Sequence, residues 1–201
     1  MQITPVELKG NRVRLIPLEP YHTEALFRAG NHPEIWTYMT SPMNNPEDME
    51  KIITHALAQK EKGLELPFVV IDQESDEVIG STRFLNVSRQ NRSLEIGSTW
   101  YTPRVWRSPV NTECKYLLLR HSFEKLHALR VQIKTDSRNL RAQKAIERLG
   151  AVKEGTLRNE RILYNGYIRD AVYYSIIDEE WPAIKRKLES FLSQSGEVPE
   201  R

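Results

Sequence analysis

Two stretches of the chain, SLEIGSTWYTPRVWRSPVNTECKYLLLRHSFEKL and ALRVQIKTDSRNLRAQKAIERLG, follow one plan: an alternating strand, a polar and basic turn, then a helix. The two helix starts lie about 30 residues apart. Adjacent strands that splay apart leave a cleft between two such turns. The first turn, WRSPVN, precedes a helix expected from about Val110 to Leu126, whose first backbone N–H groups lack intrahelical partners. They sum with the helix dipole into a partial positive charge, so a phosphate placed there gains direct amide hydrogen bonds. Arg104 and Arg107 flank this turn, Ser108 is a good cap, and Pro109 suits a first helical turn although it removes one amide donor. Asn111 and Thr112 can donate through backbone and side chain. In the second turn Asn139 caps the helix 139–149, with Arg138, Arg141 and Lys144 nearby. Taken singly, the first turn reads equally as a plain capped helix end, and the second reads better as one.

The rest of the chain fills in a mixed α/β order. RVRLIPL (12–18) alternates as a first strand, and YHTEALFRAG has helical spacing. NHPEIWTYMTSPMNNPEDME carries three prolines and is expected to be irregular, with short helical turns. A helix over 47–63 ends at Gly63; LPFVVID and EVIGSTRFL are strands joined by QESD. After the helix closed by Gly150 comes a long hairpin about Asn165-Gly166, a strong turn dipeptide, then an amphipathic helix over 179–193 and a tail, SGEVPER, expected to fray. Helices covering a largely antiparallel sheet follow from this order.

Composition narrows the class. The 201 residues suit one domain, with 39% hydrophobic and 28% charged residues. No apolar run approaches the roughly 20 residues of a membrane span, and the N-terminus has no apolar signal core. One cysteine, Cys114, excludes an intrachain disulfide and a cysteine-based zinc site and suits a reducing cytoplasm. It reads as packed rather than nucleophilic. The five histidines are scattered without paired spacing, so no metal site is expected. A net charge of +2 is too small to argue for nucleic acid; an RNA-binding reading rests only on the arginine clusters and aromatics, without RNP or KH motifs.

The runs LEIGSTWYTPRVWRSPVNTECKYLLLRHSFE and TDSRNLRAQKAIERLGAVKEGTLR, with the closing hairpin, resemble the GCN5-related N-acetyltransferase (GNAT) superfamily, and within it the RimJ/RimL-like branch. The resemblance covers nearly the whole chain. It implies an α/β GNAT fold: a mixed, mostly antiparallel sheet of about seven strands, splayed at the centre, with helices on both faces. The domain is expected over 8–180, followed by a C-terminal helix and tail over 181–201. It also implies acetyl-CoA as cosubstrate, no metal, an amine acceptor, and neither nucleic acid nor membrane as partner. A homodimer through the C-terminal hairpin is compatible with the superfamily.

In such enzymes the pyrophosphate lies on an Arg/Gln-x-x-Gly-x-Gly/Ala loop, which here aligns with Trp106-Arg107-Ser108-Pro109-Val110-Asn111. Trp106 takes the Arg/Gln position, and Pro109 and Asn111 the glycine positions. The amides left to donate are those of Arg107, Ser108, Val110, Asn111 and Thr112. Asn139 is expected on the pantetheine arm; Trp100, Arg104 and Lys144 complete the expected CoA contacts.

The implied reaction moves an acetyl group directly to an amine. At pH 7 freeing an α-amine of its proton costs about 1 kcal/mol, and a lysine amine about 4–5 kcal/mol. A modest base therefore serves an α-amine. Glu95, in an apolar strand just before the cofactor turn, is the candidate; the alternative is a strand glutamate paired with an arginine. Glu160 is the second candidate base, with an exposed hairpin carboxylate as its alternative. The oxyanion is expected on a strand amide near Ser98 to Trp100. RimL-like enzymes offer the leaving thiolate a serine where this chain has Ala142; Tyr164 or Tyr167 is the remaining candidate acid. Trp36 and Tyr38 are expected either on the acceptor or in core or lid packing. The acceptor is a protein N-terminus or a small amine. The rival reading is a non-catalytic CoA-binding protein on the same scaffold, to which Pro109, Asn111 and Ala142 point.

Overall fold

The computed structural model describes residues 1–194. Eight strands form one sheet: β1 (Leu8–Lys9), β2 (Val13–Pro17), β3 (Leu66–Asp72), β4 (Glu77–Ser88), β5 (Ser93–Tyr101), β6 (Arg130–Asp136), β7 (Val152–Ile162) and β8 (Ile168–Ile177). Their order is β1-β2-β3-β4-β5-β6-β8-β7. Every pairing is antiparallel except β5 with β6. The strand beyond the seven expected is β1, two residues long and too short to show a period.

Helices α1 (Thr23–Gly30), α2 (Pro33–Trp36) and α3 (Pro46–Glu61) cover one face; α4 (Val110–Arg120), α5 (Leu140–Leu149) and α6 (Trp181–Gln194) cover the other. The central strands are therefore apolar on both sides. In β3, Leu66, Phe68 and Val70 enter the core under α4 to α6, while Val69 and Ile71 enter the core under α1 to α3. This is the two-residue period of a strand buried on both faces. The helix expected to Leu126 is α-helical only to Arg120 and continues as a π-helical turn over His121–Lys125. Gly150 closes α5 in the left-handed region, φ 106°. The hairpin turns over 163–167 with Gly166 at φ 80°. The expected tail, 195–201, lies outside the described residues.

One buried carboxylate fixes the start of α4. Glu113 accepts the backbone N–H groups of Asn11 (2.7 Å), Arg12 (3.0 Å) and Val13 (2.8 Å), the turn between β1 and β2. Gly10 lies against it: a Cβ there would sit 2.5 Å from the carboxyl carbon. Helix α4 is thus pinned at its first turn to the N-terminal hairpin, which holds the WRSPVN loop in place.

Candidate active site

Strands β5 and β6 pair only at Ser93–Arg130, Leu94–Val131 and Glu95–Gln132. Beyond Glu95 they diverge, although β5 runs on to Tyr101 and β6 to Asp136. The divergence begins beside a bulge: Ser98 and Thr99 together oppose Thr82 of β4, and Ser98 has φ 47°. A bulge takes one residue out of the ladder and reverses which face each later side chain meets. So Leu94 and Ile96 face the α4 side, Trp100 faces the α1 to α3 side, and Tyr101 returns to the α4 side.

At the mouth of this gap stands the start of α4. Arg107 adopts φ 62°, turning the chain into the helix. Of the five amides expected to donate, that of Val110 is held by Ser108 Oγ at 3.3 Å, and Ser108 Oγ donates to Val105 O at 2.6 Å. The amides of Arg107, Ser108, Asn111 and Thr112 donate to no acceptor among the described residues. Pro109 does not obstruct the helix start. Around this cradle gather Arg141, whose guanidinium lies 4.2 Å over the Trp106 ring, and Arg148, which donates to Thr112 Oγ1 at 2.8 Å. Trp106 is fixed by its own indole N–H on Tyr101 O at 2.9 Å. Unpaired amides, a helix dipole and cations fit a pyrophosphate.

Asn139 caps α5: its Oδ1 accepts the Ala142 amide at 3.0 Å, leaving the side-chain N–H₂ to donate elsewhere. Lys144 is exposed on α5. Arg104 is turned away to Glu77, with which it forms an ion pair. Trp100 and Trp36 are core residues, 6% and 4% exposed, with rings 5.5 Å apart; the Trp36 indole is spent on Gly30 O at 2.8 Å. Both side chains are therefore packing: Trp36 takes its core alternative, and Trp100 departs from the expected CoA contact. Tyr38 is half-buried, 5.5 Å under the Arg138 guanidinium, which also stacks at 3.6 Å on Tyr167.

Glu95 lies on the α1 to α3 side of β5 and is 2% exposed. Its Oε2 accepts Asn86 Nδ2 and Gln132 Nε2, both at 2.9 Å, with Lys134 Nζ at 3.8 Å. Among the described residues the arginine partner weighed as the alternative is not there. Oε1 has no hydrogen bond among the described residues and lies over Gly97, 3.2 Å from where a Cβ would stand. A side chain at Gly97 would crowd that oxygen.

Glu160 is placed differently. It is bound by Arg169 at 2.6 Å and Lys134 at 3.1 Å, with Arg161 at 3.8 Å. Burial raises its pKa, but the hydrogen bonds and charges of Arg169 and Lys134 outweigh burial and hold the carboxyl below the usual range. A carboxylate so held is a poor proton acceptor; its role here is to neutralise buried Arg169 and half-buried Lys134. Tyr164 is half-exposed at the hairpin tip, with no side-chain hydrogen bond among the described residues. Cys114 is fully buried and its thiol is pushed up to about 12 by burial, so it is not a nucleophile. Sequence reasoning missed Lys115, Thr99, Asn86, Gln132, Lys134 and Arg148. The one legible signal was Lys115, a lysine set in the apolar run CKYLLL.

A sheet splayed between two central parallel strands, with an anion cradle at the helix start beside the gap, defines an acyltransferase of the GNAT class. The chain belongs to this family: the acetyltransferase (GNAT) domain model matches residues 12–152. An uncharacterized N-acetyltransferase, p20 of Bacillus licheniformis, is 25% identical over 87% of this chain and 97% of its own. A GCN5-related N-acetyltransferase from Brucella melitensis superposes with TM-score 0.89 at 27% identity, covering 96% of this chain and 87% of that one. RimJ of Mycobacterium smegmatis, solved with CoA-disulfide, shares the fold with TM-score 0.79 at 23% identity, covering 96% and 95%. Among the described residues no helix is long and apolar enough to cross a membrane.

Proposed function

We propose that the chain moves an acetyl group from acetyl-CoA to a primary amine, either a protein N-terminal α-amine or that of a small molecule. When bound, acetyl-CoA supplies an activated acyl carbon. The cradle of Arg107, Ser108, Asn111 and Thr112 amides, with Arg141 and Arg148, would hold its pyrophosphate, and the Asn139 amide nitrogen would donate to the pantetheine arm. The observation that carries the reading is Glu95. Two side-chain amides fix one carboxylate oxygen, and the other is left over Gly97 where β5 leaves β6. That oxygen can take the proton the acceptor amine must lose, directly or through water. Glu160, locked between Arg169 and Lys134, cannot do this without breaking both bridges.

The test pairs binding with turnover. Glu95→Gln keeps the shape and should lower transfer at least about 10²-fold while calorimetric affinity for acetyl-CoA stays within twofold. Unchanged transfer removes Glu95 from the chemistry. No acetyl-CoA binding by the wild-type chain up to millimolar concentration removes the whole reading.

A further inference from the structure

Lys115 is the one buried lysine among the described residues, and its ammonium has no counter-charge there. It is 5% exposed on the underside of α4, and among the described residues it forms no ion pair with a carboxylate. Its recorded hydrogen bond is to Thr99 Oγ1, at 2.6 Å. Thr99 is the bulge residue on the splayed half of β5, partly exposed, and its hydroxyl is 2.8 Å from Thr82 Oγ1. The groups around Lys115 offer it no charge. Glu113 on the same helix is committed to the amides of 11–13. Cys114 and Tyr101 are both buried and held neutral. On α6, Glu189 accepts the Tyr116 hydroxyl. On β2, Arg12 pairs with Asp72 and Glu74, and Arg14 with Asp76.

A buried amine without a counter-charge is costly, and groups perturbed in this way cluster at functional sites. Burial brings its pKa from 10.5 down to about 8, close to the roughly 8.5 of a free thiol. Glu95 and Thr99 also lie on opposite faces of the sheet at the same gap. One face can take a proton from the amine while the other gives one to the thiol.

We propose that Thr99, backed by Lys115, returns a proton to the CoA sulfur as it departs. This rests on the acetyl-transfer reading above. Thr99 Oγ1 gives its proton to the sulfur as the C–S electron pair moves onto it, and takes one from Lys115 Nζ. The new C–N bond is completed as Glu95 accepts the proton of the attacking amine. Lys115 and Glu95 then exchange one proton with solvent, which balances the cycle. Thr99 is the donor in contact with the thiol, and Lys115 is the positioning residue behind it. The relay fills the place left by Ala142.

Two readouts test it. The first is the pH profile of acetyl transfer. Wild-type kcat should fall above about pH 8. Lys115→Met and Thr99→Val should lower kcat about 10²-fold, leave KM for acetyl-CoA within twofold, and abolish the alkaline fall; Thr99→Ser should preserve it. The second does not need turnover: ultraviolet titration of the thiol of bound CoA. It should ionise about one pH unit lower in wild type than in Lys115→Met, which removes the nearby cation. Identical pH profiles of transfer in wild type and Thr99→Val overturn the proposal, even where Lys115→Met does not fold. Lower kcat with an unmoved profile and titration also overturns it, because that is a structural role. A wild-type protein that shows the thiol shift but acetylates no amine keeps the relay and sinks the acetyl-transfer reading instead.

Discussion

Replacing Lys115 by methionine should make the protein more stable at neutral pH, although it removes a hydrogen bond. The unfolded amine keeps its proton up to 10.5, whereas the folded one keeps it only to about 8. Between those values the unfolded state binds more protons, so stability rises with pH across that window. Below about pH 8 the full cost of burying the ammonium is present. A fall from 10.5 to about 8 corresponds to roughly 3 kcal/mol. Methionine fills nearly the same volume and carries no charge, but leaves Thr99 Oγ1 without its donor, a loss of about 1 kcal/mol. The variant should gain about 2 kcal/mol at pH 7, or about 4–8 °C in melting temperature. The gain should vanish near pH 10. Urea unfolding of both proteins at pH 7 and pH 10 measures this. A variant less stable at pH 7, or an equal difference at both pH values, would refute the claim that the folded protein carries an uncompensated buried ammonium. A variant both more stable and slower in transfer would show that the lysine is retained for chemistry at a cost in stability.

Three further outcomes are expected. Asn139→Ala should weaken acetyl-CoA binding and also lose the α5 cap, about 1 kcal/mol by thermal melt; unaltered affinity with a lower melting temperature would leave Asn139 a cap alone. Glu160→Gln should destabilise the fold by about 3 kcal/mol, because Arg169 keeps a buried charge without its carboxylate. The Glu160 carboxyl is held below its ordinary 4.5, so its contribution is full above that value and is lost as pH falls through the folded value; the wild type should lose more stability than the variant on acidification below pH 4.5, and parallel acid curves would contradict the bridge. Gly10→Ala should cost about 2 kcal/mol, since Glu113 is tied by three amides and cannot yield; an unchanged melting temperature would show that it can.

The sequence by itself determined the parts whose signals are local. Strands at period two, the Asn139 cap, the Gly150 stop and the Asn165-Gly166 turn each declare themselves within a few residues. The repeated strand–turn–helix plan then placed both sides of the cleft. Tertiary structure alone decided what each polar side chain meets. Arg104 lies near the cradle in sequence yet pairs with Glu77, 27 residues earlier. Glu95 and Glu160 are both strand glutamates; Asn86 and Gln132 leave one of them an open oxygen, and Arg169 with Lys134 lock the other. Trp36 and Trp100 look like site aromatics until packing puts them in the core. Lys115 is uncompensated only because the bulge at Ser98 turns Thr99 toward α4 and no carboxylate follows. Local backbone preferences act over a few residues and are written in the chain. The charge and solvation of a side chain depend on neighbours up to about 100 residues away, and the fold brings them together.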